Sequence, residues 1–249
     1  HLDGALDRFA QQFSAPLFTA ELVDRERNAV HSEFSAKQKE DGRRFYSIKK
    51  AVAKPAHPFH QFAVGNLSTL ENTEERPLRP DLIRFWKEHY SSDLMTLAVY
   101  GPQSLDDLEA MVRERFSRIE DRDLKPKQFD TPLYAPDSLP SKVTGKALKD
   151  LRTLTPSFPI PSQQAHYRAK PAHYVGNLLG HEGPGSLFQT LKPTGLVERL
   201  SAGTGMDTGS NALFEINMAL TPEGFERQEE IVQLAFDDIG RVRNEGISR

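Results

Sequence analysis

Ala212-Leu213-Phe214-Glu215-Ile216-Asn217-Met218-Ala219-Leu220 runs straight into Thr221-Pro222-Glu223, and this junction decides the fold. The run alternates. Phe214, Ile216, Met218 and Leu220 share one side, and Leu213, Glu215, Asn217 and Ala219 the other, which is the period-two pattern of a strand. Thr221 before Pro222 is a helix start. The threonine caps, and the proline takes the first helical position, where an N–H has no intrahelical partner anyway. Phe225, Ile231, Leu234, Ala235 and Ile239 then recur at helical spacing. A strand feeding a long amphipathic helix predicts an α+β fold rather than a bundle.

Upstream, a strand is expected around Lys149–Phe158, closed by Pro159-Ile160-Pro161. A helix follows near Pro171–Leu179, is interrupted by Gly183-Pro184-Gly185-Ser186, and resumes through Leu187 and Leu191. Residues 120–145 lack periodicity and hold Pro126, Pro132, Pro136 and Pro140, which makes them the best linker in the chain. The first half is of the same kind, with no residue-level repeat of the second. Leu2, Leu6, Phe9 and Phe13 form one helical stripe, and Thr19 is placed to cap a second helix running from about Ala20 into the 40s. An irregular connection rich in Pro, His, Asn and Gly covers residues 54–80. A helix opening at Pro80-Asp81, a buried strand over Leu94–Tyr100 and a Ser104-capped helix follow.

Hydrophobic residues are 37% and charged residues 27% of the 249, a globular composition. The formal net charge of -3 argues against nucleic acid as a partner, since neutralising phosphates takes a concentrated basic face. No apolar run approaches the ~20 residues that cross a bilayer, so no membrane span is expected. There is no cysteine, which excludes disulfides and leaves His, Asp and Glu as the metal ligands. The chain opens on His1 without a methionine and runs at once into a helix, which reads as the interior of a longer protein or, alternatively, as a mature terminus left by processing.

The second helix carries the sharpest chemical signal, Asp24-Arg25-Glu26-Arg27-Asn28-Ala29-Val30-His31-Ser32-Glu33. At ~100° per residue, Glu26 and Glu33 fall within ~20° of each other around the axis, with Val30 between them. By spacing alone this is either a solvated charged face or a carboxylate pair set to meet a metal or an arginine. His31 lies roughly 200° from Glu33 and should point away. His57 and His60 form His-x-x-His, but Pro55 and Pro58 oppose the helix that would align the rings. His181-Glu182 cannot open a zinc-binding helix through Gly183-Pro184-Gly185, which reads by itself as a turn.

Taken together, several stretches resemble the insulysin and pitrilysin family of zinc metallopeptidases. They are the 1–18 region, Asp24-Arg25-Glu26-x-Asn28-Ala29-Val30-x-Ser32-Glu33, His57-Pro58-Phe59 with Gly65-Asn66, and Tyr90-Ser91-Ser92-Asp93-Leu94-Met95. Phe158-Pro159-Ile160-Pro161 and Gly180-His181-Glu182-Gly183-Pro184-Gly185-Ser186-Leu187 continue the match in order along nearly the whole chain. The resemblance implies two related α+β domains of antiparallel-rich sheet packed by long helices. The later part of a catalytic domain would lie over 1–122, a linker over 123–145, and most of a non-catalytic domain over 146–249. It implies Glu33 as a zinc ligand and Glu26 as the nearby glutamate important for activity. The family's His-x-x-Glu-His motif is absent, so the other two ligands and the general base would come from upstream. Zinc is thus expected in the complete protein, not in this piece, which should lack useful peptidase activity alone. The resemblance further implies a peptide-gripping site around His181, Gly183, Gly185, Leu200, Ala202 and Gly203, with Ala202 where relatives often carry glycine. Small residues there let a peptide backbone approach as an added strand. Expected partners are peptide substrates and the remaining domains of the same chain. The expected compartment is periplasmic in a bacterium and otherwise cytoplasmic. The alternative is a non-catalytic peptide-binding or scaffold subunit, such as a pseudopeptidase or a processing-peptidase-like core subunit.

Overall fold

The computed structural model describes residues 1–245. In chain order its elements are α1 (Leu2–Ser14), α2 (Ala20–Lys37), α3 (Asp41–Ala51), α4 (Leu78–His89), α5 (Leu105–Phe116), β1 (Thr153–Leu154), β2 (Ser157–Pro161), α6 (Pro171–Gly180), α7 (Leu187–Leu191), β3 (Val197–Asp207), β4 (Asn211–Leu220), α8 (Pro222–Glu226) and α9 (Gln228–Glu245), with short 3₁₀ turns between. They form two compact units, discontinuous in sequence. One comprises 1–38 and 62–127; the other comprises 39–61 and the chain from 128 onward.

The first unit is helical. The α1 stripe predicted from the sequence buries Leu6 and Ala10, and α5 buries Leu108. Phe9 meets Phe13 and Phe116 edge-on at 5.0 and 6.1 Å between ring centres, the T-shaped arrangement that aromatic quadrupoles favour. Trp86 Nε1 donates to the Phe13 carbonyl at 3.1 Å, and Arg122 lies over the Trp86 ring at 4.7 Å. The same guanidinium donates to the carbonyls of Trp86, Lys87 and Tyr90, satisfying the orphan acceptors at the end of α4.

Two expectations fail here. The second helix does not run into the 40s. It ends at Lys37, and α3 restarts at Asp41, because the Asp41 carboxylate is drawn to the amides of Leu148 and Lys149 at 2.8 and 2.9 Å. Leu94–Tyr100 is not a paired strand either. Ser92–Leu94 is a 3₁₀ turn, and 95–100 is unpaired, with Tyr100 99% exposed. A strand exists only through a neighbour, and no strand forms among the described residues of this unit.

The second unit is built on β4. β3 pairs antiparallel along nearly its whole length on one side, and β1 and β2 lie end to end on the other. The alternation read from 212–220 holds. Phe214, Ile216, Met218 and Leu220 enter a core with Leu179, Leu187, Leu191, Leu196, Ile231 and Ala235, contributed by α6, α7, α9 and the loop before β3. Thr221 Oγ1 accepts from Gly224 N at 3.0 Å and caps α8 with Pro222 at its start. Leu213 faces the opposite side against Ala53 and Leu133, and Glu215 there meets Lys49 Nζ of α3 at 2.5 Å. The 39–61 segment thus covers a face that the periodicity left open.

The first strand predicted upstream begins later than expected, as β1 and β2 separated by Thr155-Pro156, and Pro159 and Pro161 lie inside β2 rather than after it. The ladder explains why they are tolerated. Ile216 donates to the Pro156 carbonyl, so even-numbered residues of β4 point their amides toward β2. Phe158, opposite Phe214, then turns its backbone inward, and the prolines on either side of Ile160 turn outward on an edge strand, where no N–H is required.

Candidate functional site

The two candidate regions lie in different units. In the first, α2 is unbroken across Glu26 and Glu33, so the helical period places both carboxylates on one face. Both side chains are exposed, and α2 buries no residue. The only ion pair on α2 among the described residues joins Arg27 to Asp24 at 2.9 Å and involves neither glutamate. Val30 is half-buried, its Cγ1 lying where a side chain on Gly65 would need to go. His31 is half-buried and its Nδ1 accepts from the Leu67 amide at 3.5 Å, a packing role. Among the described residues no three His, Asp or Glu side chains converge as a metal site.

His57 is buried at 2% exposure. Its Nδ1 accepts from Phe59 N at 3.0 Å, which puts the proton on Nε2, and that atom is buried without a partner among the described residues. Burial holds its pKa below the usual histidine value, because desolvation disfavours the charged ring. His60 Nδ1 lies 3.1 Å from the Ala53 carbonyl, and each ring is thereby tied to local backbone.

In the second unit, β3 is an edge strand: among the described residues its outer side has no strand partner. Since β4 turns Glu215, Asn217 and Ala219 toward β3, their partners Gly203, Ser201 and Arg199 point inward. Leu200 and Ala202, opposite Met218 and Ile216, present N–H and C=O outward. The other edge, β2, carries Pro159 and Pro161 and cannot accept a full strand ladder, whereas β3 contains no proline. α6 approaches this edge closely. A Cβ on Gly176 would stand 2.5 Å from the Ala202 oxygen, and one on Gly180 3.1 Å from the Ala202 nitrogen. Only glycines let a helix lie so near a strand backbone.

His181 follows directly and ends α6. Its Nδ1 accepts from Gly183 N at 2.9 Å, and the Gly183 carbonyl accepts from Ser186 Oγ at 2.9 Å, so the loop is closed on itself. Ser186 is fully buried and also caps α7, accepting from Gln189 N at 3.2 Å. Gly185 holds φ at +83°, a left-handed conformation that suits glycine, and its carbonyl accepts from Arg241 of α9 at 2.6 Å. The structure thus brings His181, Leu200 and Ala202 to one place, where the end of α6 meets β3. Gly183 and Gly185 lie in the loop leaving it, and Gly203 turns its backbone groups toward β4. Sequence reading missed β3 itself, the glycine pair in α6 and Arg241. The spacing Gly176-x-x-x-Gly180 was a usable signal for a close helix approach; the arginine had none.

The second unit is thus an antiparallel sheet packed by helices with β3 at its edge, and the first unit carries a helix with an exposed carboxylate pair. The family model described as "Peptidase M16 inactive domain" matches residues 78–249, and the chain belongs to the M16 peptidase family, of the insulysin and pitrilysin type. It is 41% identical to insulin-degrading enzyme of Bos taurus over 99% of its length and 24% of that protein's. It is 34% identical to a putative zinc protease of Caenorhabditis elegans, over 98% of this chain and 29% of that one. The crystal structure of pitrilysin superposes with a TM-score of 0.89 at 28% identity, covering 99% of this chain and 26% of that one. The chain thus spans between 24% and 29% of the length of these relatives.

Proposed function

We propose that this chain is part of a zinc-dependent metalloendopeptidase. Residues 1–122 would belong to its catalytic domain, 123–145 to a linker and 146–249 to a non-catalytic domain. Glu33 would be one zinc ligand and Glu26 a supporting glutamate, with the remaining ligands and the general base supplied by parts of the protein outside these 249 residues. Bound zinc would polarise a peptide carbonyl and lower the pKa of a water. The observation that carries the reading is α2 itself. It is uninterrupted, with both carboxylates exposed and, among the described residues, without an ion-pair partner, in a chain 41% identical to insulin-degrading enzyme. Free carboxylates on a rigid helix are available to a cation brought from elsewhere, whereas carboxylates locked in ion pairs would not be.

The proposed substrate grip is strand addition at Leu200 and Ala202, with His181, Gly183 and Gly185 forming the end of the site and Gly203 leaving room beside it. The open β3 edge supports this reading, as does the proline-closed β2 edge. The matched family model, described as an inactive domain, favours the second reading for residues 78–249 considered alone, a non-catalytic peptide-binding or scaffold part.

The test is zinc content and peptidase rate of the full-length protein. Glu33→Gln should lower zinc affinity by more than the roughly 10–100-fold that loss of an outer-shell partner costs, and Glu26→Gln by no more than that range. Full zinc occupancy and activity in Glu33→Gln contradicts the assignment. The 249-residue chain alone should take up zinc weakly; tight stoichiometric uptake would contradict it equally.

A further inference from the structure

Arg241 lies 56 residues from Gly185 in sequence and touches it in space. Among the described residues its guanidinium has three partners. Nε and Nη2 donate to Asp238 Oδ1 at 3.1 and 2.7 Å, Nη1 donates to Glu245 Oε2 at 3.1 Å, and Nη2 also donates to the Gly185 carbonyl at 2.6 Å. The contacts differ in weight. Glu245 is exposed, and a solvated helix-spaced pair holds little in place. Asp238 is 5% exposed, and a carboxylate so buried requires its cation, which fixes the guanidinium plane. With that plane fixed, one remaining donor is aimed at the loop. An arginine fork held by one acid keeps its other N–H groups in set directions, as a lysine ammonium cannot.

Gly185 is the loop residue with left-handed backbone, and nothing else among the described contacts holds its carbonyl. Toward the other end, Gly183 is tied to His181 and Ser186, and Gly180 lies against Ala202 of the β3 edge. The chain of contacts therefore runs from Asp238 through Arg241 to Gly185, along the closed loop to His181, and on to the strand edge.

We infer that Arg241, oriented by Asp238, is a positioning residue for peptide binding: it clamps the Gly183–Gly185 loop to α9 and so sets the shape of the end of the β3 edge. The inference rests on the reading that this edge and loop bind peptide. Arg241 itself touches no peptide; freeing the loop would make each binding event order it anew.

The experiment uses the whole chain and a fluorescein-labelled, unstructured decapeptide with a free amino terminus, read by fluorescence anisotropy. It is paired with hydrogen exchange at the Gly183 and Ser186 amides. Arg241→Ala should weaken binding about tenfold, the scale of one charge-assisted hydrogen bond, and speed exchange at both amides. Arg241→Lys should recover part of the affinity, since it neutralises Asp238 without the fork. Glu245→Gln, which removes only the surface pair, should bind as wild type. Should Arg241→Ala fail to fold, Arg241→Lys carries the test, and wild-type affinity in it refutes the clamp. A wild-type chain that binds while Arg241→Ala binds equally well overturns this inference alone. A wild-type chain that binds no peptide overturns the reading of the site, and the inference with it.

Discussion

Replacing Gly176 by alanine tests whether the close approach of α6 to β3 is a real constraint. In an exposed helix interior this change adds about 1 kcal/mol of stability, because glycine carries more backbone freedom into the unfolded state. Here the new Cβ would stand 2.5 Å from the Ala202 oxygen, 3.0 Å from its carbonyl carbon and 3.0 Å from the Gly203 Cα. All three are backbone atoms of a strand bonded to β4, so none can rotate away, and ordinary carbon contacts need about 3.5 Å or more. Either α6 lifts or β3 bends. Overpacking of this kind costs about 1–3 kcal/mol, which outweighs the propensity gain and leaves a net loss of up to about 2 kcal/mol. Gly240 in α9 is the internal control, because a Cβ there meets nothing within 4 Å. Gly240→Ala should therefore stabilise by roughly 0.5–1 kcal/mol. Urea unfolding followed by far-UV circular dichroism gives both values. Opposite signs for the two substitutions are the expected outcome. A Gly176→Ala chain at least as stable as wild type would refute the packing argument.

Ile216→Ala, at a side chain with no exposure in the main core, should cost about 2–5 kcal/mol in the same unfolding assay. Lys49→Ala strands the Glu215 carboxylate at 6% exposure with Ser157 as its remaining donor, and should cost about 1–3 kcal/mol, whereas the surface pair Arg113–Glu109 should be nearly silent when broken. Asp41 is held below the usual carboxylate range chiefly by the Leu148 and Lys149 amides. At Asp207 burial pushes the pKa up, but the Gly209 and Gln163 amides and the Ser162 hydroxyl outweigh it and leave it lowered. Both groups therefore contribute stability that is complete above the ordinary carboxylate pKa near 4 and is lost as pH falls through their lower folded values. Asp41→Asn should flatten the acid limb of a stability–pH profile, and an unchanged limb would contradict that origin.

Much of the second unit was legible because its signals are local. The alternation over 212–220 and the Thr221-Pro222 cap depend on nearest neighbours, and both appear as read. The failures were all of the kind that a chain cannot announce locally. β3 carries Gly203, Gly205, Ser201 and Thr204 and two irregularities in its register, so neither propensity nor periodicity marks it as a strand; it is one because β4 is long enough to template it. Leu94–Tyr100 has the composition of a strand and finds no strand partner among the described residues. The second helix stops at Lys37 because Asp41 has acceptors to offer amides more than a hundred residues away. At the candidate site, the family pattern pointed to Glu26, Glu33 and the 181–203 region, but not to Arg241, whose role exists only through its contact with Gly185.

The amino-acid sequence alone determined the family, the alternation of strand and helix, and the helical spacing that brings Glu26 and Glu33 to one face, since each rests on residue identity and on the fixed periods of the backbone. Only the tertiary structure decided which edge of the sheet has no strand partner among the described residues, that the 39–61 segment packs on the sheet's second face, and that an arginine on the last helix bonds the glycine loop. Those features are set by which distant segments meet, and burial and hydrogen bonding across large sequence separations leave no periodic trace in the chain.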